Sequence, residues 1–209
     1  MGEVGRNLTG NMTMSWAEDY PDIHKICDLY KMYEILYPKR IKYVPLPVLL
    51  QDGPQCGLVS LAMFISNASK DKVEELLKVA KQRGYTSNGE MFSADNLCKL
   101  ANDFTTYTAF VYNVPYDADK NHSPCLKNGH KAHWAAISGV IETEEDMYVL
   151  AKHGKSKNLA IWTLKILADS NSQLNEFSPN RRYSNMEYCL PEGGIAGSYG
   201  LCSKAILLT

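Results

Sequence analysis

Apolar residues in the first half of the chain recur every three or four positions, which is the spacing of amphipathic α-helices. Ser69 and Ser93 precede two of these patterns and are expected to cap the helix starts, and Gly84 is expected to end the first of the two. The segment that begins at Cys56 is apolar on almost every side, which predicts a helix buried in the core. The predicted helices cover 19–37, 56–66, 69–84 and 92–104.

Beyond residue 104 the chain changes to short stretches rich in β-branched and aromatic residues, which favour β-strands. The polar segment 115–129 separates the first two strands and is long enough to be a functional loop. Helices that precede strands, instead of alternating with them, are typical of an α+β fold with an antiparallel sheet. The predicted strands cover 105–114, 132–141, 147–153, 159–164 and 186–190.

The length of 209 residues suits one compact domain. Residues 1–18 are polar and rich in Gly, Asn, Thr and Met, so we predict a disordered N-terminus followed by a single domain over 19–209. Within that domain the proline-containing segment 37–55 predicts an extended connector that packs on the rest of the protein.

Charge and hydropathy argue against two classes of partner. The 22 basic and 23 acidic residues give a net charge of −1, whereas binding to a phosphate backbone needs a basic surface. No apolar stretch is long enough to cross a bilayer, and the N-terminus lacks the apolar core of a secretory signal. We therefore expect a cytoplasmic protein that binds neither nucleic acid nor membrane.

Cys56 is distinguished from the other five cysteines, all of which are expected to be reduced in the cytoplasm, by its place at the start of a buried helix. The unpaired N–H groups and the positive dipole at a helix N-terminus favour thiolate, so we expect the pKa of Cys56 to lie below its ordinary value. Gly57 leaves room beside the sulfur for a substrate carbonyl. Cys56 is the candidate nucleophile, the alternative being an inert buried thiol.

His133 is the candidate base. In the sequence Gly-His-Lys-Ala-His-Trp-Ala it begins a predicted strand, and the aromatic side chain of Trp134 can shield and orient its imidazole. Nucleophilic cysteine catalysis requires a thiol and an imidazole that meet in the fold, whatever their separation in sequence. We prefer His133 to His130 because Trp134 marks the strand entry. The alternative is a strand histidine with a purely structural role.

A metal-binding module is a second interpretation of this region. It would use His122, Cys125, His130 and His133. Their spacing matches neither the HxxxH nor the CxxC pattern of zinc sites. We therefore expect no metal and no other cofactor.

Five longer segments of the sequence are distinctive, namely QDGPQCGLVSLAM, MFSADNLCKLA, VPYDADKNHSPCLKNGHKAHWAAISGV, HGKSKNLAIW and NSQLNEFSP. They resemble the actin maturation proteases, among the papain-like and bacteriocin-processing-type cysteine peptidases. The resemblance covers residues 44–209 and implies a papain-like fold. In that fold N-terminal helices, with the nucleophile at a helix start, pack on an antiparallel sheet that carries the histidine.

The resemblance also implies an activity. The family removes the acetylated first residue, Met or Cys, from immature actin in the cytosol, which assigns the nucleophile to Cys56 and its partner to His133. Members can carry a proline-rich segment suited to profilin, and this sequence has none, so profilin stays open as a partner. Because the N-terminus of actin is acidic after that residue, we expect Lys131 and Lys155 to contact the substrate.

The two supporting roles have weaker candidates. Gln51 is our candidate donor to the oxyanion, since the side chain of the adjacent Gln55 is expected to point elsewhere. In papain-like enzymes the residue that orients the imidazole follows the next strand, where this chain offers Ser156, Asn158 or His153, and Asp169 lies one strand later. Two rival functions remain from the residues alone, namely another thiol hydrolase or transferase and a binding domain without catalysis.

Overall fold

The computed structural model describes residues 14–105, 111–178 and 187–208. Ser69 and Ser93 cap their helices as predicted, since their hydroxyls accept hydrogen bonds from the backbone N–H groups of Lys72 and Asn96. The helices are α1 (Pro21–Tyr30), α2 (Cys56–Ala62), α3 (Lys70–Gln82), α4 (Ala94–Phe104) and α5 (Leu164–Ser172). Each predicted helix is present, and each is shorter than the sequence pattern indicated.

The strands form one antiparallel sheet, which confirms the α+β class. They are β1 (Arg40–Tyr43), β2 (Val111–Asp117), β3 (Ala132–Glu142), β4 (Met147–Lys152), β5 (Ala160–Thr163) and β6 (Ile206–Leu208). The order across the sheet is β5–β4–β3–β2–β6, and β1 pairs with the second half of β3.

Four details differ from the expectations. The predicted connector contains β1, which pairs with β3 through Arg40–Tyr43. Strand β2 continues to Asp117, so the loop before β3 is 118–131. Helix α5 was not predicted, because its first residues continue the apolar pattern of β5. The described part of 186–190 forms no strand.

The N-terminal boundary also lies earlier than expected. Met14 and Ala17 are buried in a cluster with α1 and the first turns of the chain, so residues 14–18 pack on the domain instead of being disordered. Residues 1–13 of the predicted disordered segment, 106–110 of the predicted strand and Met186 lie outside the described residues.

Strand β3 divides the core into two layers. On one face, Trp134 and Ala136 pack against α2, α3 and α4. On the other face, Ala135 and Ile137 pack with Leu167 of α5. Side chains alternate along a strand, so His133 projects to the α5 face, directly opposite Tyr116 on β2.

The functional region lies at one end of this sheet. Since the strands are antiparallel, the end of β2, the start of β3 and the end of β4 meet there. Helix α2 begins at the same edge and packs on β3. A cysteine at the start of α2 is thereby placed beside a histidine at the start of β3.

Candidate active site

The thiol of Cys56 lies at the junction of α2 and β3. The backbone N–H groups of Trp134 and Gly57 lie close enough to its sulfur to favour the thiolate. Trp134 follows His133 directly, so the main chain that carries the candidate base runs beside the candidate nucleophile. Cys56 and His133 line the same cleft, which has a volume of about 910 Å³.

Gly57 permits close packing of α2, whereas it was expected from the sequence to leave room for a substrate carbonyl. A Cβ atom at Gly57 would lie 2.9 Å from the Cβ of Met91 and 3.1 Å from the Cδ1 of Trp134. The indole Nε1 of Trp134 donates to the carbonyl oxygen of Met91 at 2.8 Å, which fixes the ring against α2. A larger residue at position 57 would push α2 away from β3.

The pKa of Cys56 differs from the expectation. Burial raises the pKa of the thiol to about 11, although the N–H groups of Trp134 and Gly57 and the charge of Lys155 favour the thiolate. The expectation of a lowered pKa was wrong because the packing that encloses the helix start removes more hydration from the thiolate than the hydrogen bonds restore. The resting side chain is a thiol.

The imidazole of His133 is neutral for a related reason. It is 7% exposed, and burial lowers the pKa of His133 to about 3, with further lowering from His153, His122 and Lys155. A neutral imidazole can accept a proton, which a base must do. The site therefore pairs a protonated candidate nucleophile with an unprotonated candidate base.

Two more histidines surround His133. The ring centroids of His133 and His153 are 5.7 Å apart, those of His133 and His122 are 6.1 Å apart, and those of His122 and His153 are 5.7 Å apart. Tyr116 contacts the ring of His133 edge to face at 5.6 Å. Nε2 of His133 is enclosed by this group, and no described residue hydrogen-bonds to it. Nδ1 is therefore the nitrogen that can reach the cleft.

His153 is held in a fixed orientation. Its Nδ1 accepts the backbone N–H of Lys155 at 3.3 Å, and its ring stacks on Trp162 with centroids 6.1 Å apart and planes 14° from parallel. Burial lowers the pKa of His153 to about 4, with smaller contributions from His122 and Lys155. His153 directly follows β4 and is among the nearest side chains to the base.

Two of the predicted orienting residues, Ser156 and Asn158, have other hydrogen-bond partners. The hydroxyl of Ser156 accepts the backbone N–H of Asn158 at 3.0 Å, and the side-chain oxygen of Asn158 accepts from the Nζ of Lys25 at 2.8 Å. Neither of these hydrogen bonds involves His133. Assignment of the orienting role to Ser156 or Asn158 stays a prediction without a contact to support it.

Gln51 lines the cleft beside Cys56. Its Nε2 donates to the carbonyl of Gly53 at 2.6 Å, and its Oε1 is buried with no partner among residues of the described ranges. The side chain of Gln55 packs on Gly89, where an added Cβ would lie 2.7 Å from the Gln55 Cγ. Of the two glutamines, Gln51 has the side chain that adjoins Gly154 and the His153 turn.

Asp117 organises the loop 118–131 and was missed in the sequence. Its fully buried carboxylate accepts the backbone N–H groups of Lys127, Gly129 and Lys131 at 2.7 to 2.8 Å and the Nε2 of Gln173 at 3.1 Å. A charged side chain is rarely buried without such partners. The only signal in the sequence was an Asp at the end of a strand-like segment.

The wall of the cleft formed by this loop is basic. Lys131 and Lys155, the predicted substrate contacts, both line the cleft, and Lys120 and Lys127 line it as well. The acidic residues on the lining are Asp119 and Glu90, and Glu90 is almost fully buried. The entrance therefore carries a positive charge.

The alternative metal cluster is not assembled. His130 is exposed and faces Glu176, with Nε2 3.0 Å from the carboxylate. In the ranges that the structure covers, no group of three or more His, Cys, Asp or Glu is arranged to hold a metal ion. The same ranges contain no helix long and apolar enough to cross a membrane.

Comparisons with known proteins identify the family. Residues 46–114 and 108–141 match the family described as "Actin maturation protease-like, C-terminal domain". The chain is 40% identical to the actin maturation protease of Drosophila melanogaster over 98% of this chain and 84% of the relative. The chain belongs to the actin maturation protease family.

Vertebrate members of the actin maturation protease family are less similar to this chain than the Drosophila melanogaster protein is. The chain is 36% identical to the Danio rerio protein over 78% of this chain and 72% of the relative. It is 34% identical to the Homo sapiens protein over 78% of this chain and 64% of the relative. No solved structure matches the chain, so the geometry of Cys56 and His133 rests on this structure alone.

Proposed function

We propose that the protein is a cysteine aminopeptidase that removes the acetylated first residue, Met or Cys, from immature actin. Its membership of the actin maturation protease family supports the substrate. The observation that carries the chemistry is the single cleft that the thiol of Cys56 and the imidazole of His133 both line. A cysteine at a helix start beside a histidine at a strand start is the arrangement of papain-like peptidases.

The mechanism begins from the neutral pair, which is the protonated thiol of Cys56 and the unprotonated imidazole of His133. The sulfur of Cys56 attacks the carbonyl carbon of the first residue while Nδ1 of His133 takes the thiol proton. The oxyanion accepts from the backbone N–H of Cys56 and from the side chain of Gln51, which must first leave the carbonyl of Gly53. The carbon–nitrogen bond then breaks, and the imidazolium gives its proton to the departing amine.

The second half of the reaction frees the enzyme. The acetylated residue is now a thioester on Cys56. His133 accepts a proton from a water molecule as its oxygen attacks the thioester carbonyl, and the carbon–sulfur bond breaks. The thiolate takes the proton back from His133, which restores the resting thiol and releases the acetylated amino acid.

The departing peptide must lie beside His133, because that residue donates the proton to its new amino group. The loop 118–131 precedes His133 on the same wall and contributes Lys131, and Lys155 follows β4 nearby. Exposed lysines attract the acidic N-terminus that actin presents after its first residue. All six cysteines are free thiols, which supports a location in the reducing cytoplasm.

Reversal of the charges of Lys131 and Lys155 tests whether these lysines bind an acidic substrate. We expect the wild type to release acetyl-Met from a peptide that continues with Asp and Glu. We expect the double variant Lys131→Glu, Lys155→Glu to raise KM roughly tenfold, since exposed charge pairs contribute about 0.2–1 kcal/mol each and reversal makes them repulsive. Mass spectrometry measures the shortened peptide.

The double variant Lys78→Glu, Lys81→Glu, on the exposed surface of α3, is the matched control for the change in charge. The increase in KM should shrink at high salt. An unchanged KM in the double variant would contradict the lysine contacts. Absence of any shortened peptide with the wild type would contradict the proposed function itself.

We also propose His153 as the residue that positions His133. Nε2 of His133 is buried without a described partner, and the ring of His153 lies 5.7 Å away, near enough for a hydrogen bond through one water molecule. The charged or titratable groups around His133 are Cys56, Tyr116, His122, His153 and Lys155.

Replacement of His153 by Asp should move the acid limb of the kcat/KM profile to higher pH. The pKa of His133 is lowered by burial and by its neighbours, so the base stays neutral well below pH 6.5. A carboxylate at position 153 favours imidazolium, so protonation disables the base at a higher pH. His153→Asn should move the limb less. His24→Asp, on exposed α1, is the control, and coincident profiles would exclude the positioning role.

A further inference from the structure

A second wall of the cleft is apolar and aromatic. Phe92, Phe177 and Tyr188 contact one another edge to face, with ring centroids 4.8 Å apart for Phe92 and Phe177 and 5.0 Å apart for Phe177 and Tyr188. Met91 and Leu201 line the cleft beside them. We call these five residues the aromatic wall.

The aromatic wall is tied to the nucleophile. Met91 accepts the indole N–H of Trp134, and its Cβ limits the space beside Gly57. Trp134 projects from the face of β3 opposite to that of His133. The aromatic wall and the histidines therefore lie on opposite faces of β3, with the thiol of Cys56 at the edge between them.

Glu90 adds an unpaired acceptor to this wall. It lines the cleft next to Met91 and is 4% exposed, and both of its carboxylate oxygens lack a hydrogen-bond partner among residues placed by the structure. A buried polar group without a partner is costly, so its retention indicates a donor that arrives from outside. Peptide substrates bring N–H donors into such a cleft.

The proposed roles of Cys56 and His133 determine which part of the substrate contacts the aromatic wall. His133 protonates the departing amine, so the departing peptide runs along the histidine side of the thiol. The acyl part, which stays on the sulfur, must extend to the other side. That side is the aromatic wall.

We propose that the aromatic wall and Glu90 form the subsite for the residue that is removed, and that this subsite binds an N-acylated residue with an unbranched apolar side chain. The inference rests on the proposed function and specifies its substrate. A flexible thioether or alkyl chain packs well on aromatic edges, and a thioether adds a favourable sulfur–aromatic contact. A polar side chain would lose its hydration there.

The carboxylate of Glu90 accepts the amide N–H of the acylated residue. A free amino terminus would be an ammonium ion, which loses far more hydration than an amide N–H when it enters an apolar wall. The four lysines on the cleft lining also repel an ammonium ion. Both effects favour the acylated terminus over the free one.

The test uses a matched pair of substrates, acetyl-Met and acetyl-N-methyl-Met at the head of the same acidic peptide. The N-methyl group removes the N–H donor and adds a methyl group, and the comparison with Glu90→Met separates these two effects. We expect methylation to lower kcat/KM of the wild type by roughly tenfold or more, the size of a hydrogen bond to a charged group. In Glu90→Met, which has no acceptor, methylation should change kcat/KM by less than about threefold.

The aromatic contacts are tested with the first residue varied between Met and Gln. The wild type should prefer Met by at least roughly tenfold, and Phe177→Ala should lose most of this ratio. Tyr199→Ala, an exposed aromatic residue that does not line the cleft, is the control and should keep the ratio. Thermal unfolding of each variant separates loss of specificity from loss of folding.

The outcomes distinguish failure of the proposed function from failure of the proposed subsite. If the wild type cleaves none of the acetylated peptides, the proposed function fails. If it cleaves them but Glu90→Met responds to methylation as the wild type does, the role of Glu90 is wrong. If Phe177→Ala keeps the preference for Met, the aromatic wall is not the subsite.

Discussion

Replacing Cys56 with alanine should abolish release of the first residue from an acetylated actin-type peptide. The alanine variant cannot form the thioester, so the loss should be roughly 10⁴-fold or more in kcat. Mass spectrometry of the peptide measures it directly. The fold should be unaffected, because the substitution removes one sulfur atom and leaves the backbone of α2 unchanged.

Cys98→Ala is the matched control for Cys56→Ala. Cys98 is a partly buried free thiol on α4, and it does not line the cleft. Its removal should leave kcat/KM within about twofold of the wild type, as expected for a substitution away from the site. Turnover by Cys56→Ala that persists above background would show that another group is the nucleophile.

Replacing His133 with alanine should lower kcat roughly 10³-fold to 10⁴-fold, since the attack then lacks a base and the departing amine lacks an acid. The double variant Cys56→Ala, His133→Ala should be no worse than Cys56→Ala alone, because the two residues act as a unit. His130→Ala changes an exposed histidine nearby and should retain activity.

The resting protonation states give His133→Ala a second readout. Burial raises the pKa of Cys56 to about 11, so the thiol is protonated at neutral pH whether or not the imidazole is present. The rate of alkylation of Cys56 by iodoacetamide should therefore fall far less than turnover does. A parallel fall of both rates would mean that the resting pair is a thiolate and an imidazolium, and would contradict the neutral pair.

The helices could be predicted from the sequence because the features that specify them act over a short range. The spacing of apolar residues and the hydroxyls of Ser69 and Ser93 act within one or two turns, and both helix starts are where the sequence placed them. The strand at 132–141 was equally clear. Strand β1 was not, because its pairing with β3 is set by residues about a hundred positions away.

The site was predictable in part for the same reason. The sequence can show that a cysteine opens a buried helix and that a histidine opens a strand. It cannot show how deeply the two side chains are buried in the folded protein. Burial raises the pKa of Cys56, whereas the helix dipole was expected to lower it. The aromatic wall, Asp117 and the position of His153 also depend on contacts between distant segments.

The cleft draws on residues from Gln51 to Leu201, with strands β2, β3 and β4 between them. The shortest stretch of the chain that contains the thiol, the base and the aromatic wall together runs from Cys56 to Leu201. Strand β6 closes the sheet against β2 only after nearly all of the described chain is present. During synthesis on the ribosome Cys56 is therefore made before most of the residues that surround it in the cleft. We expect the growing chain to have no peptidase activity until its C-terminal segments have been made and folded.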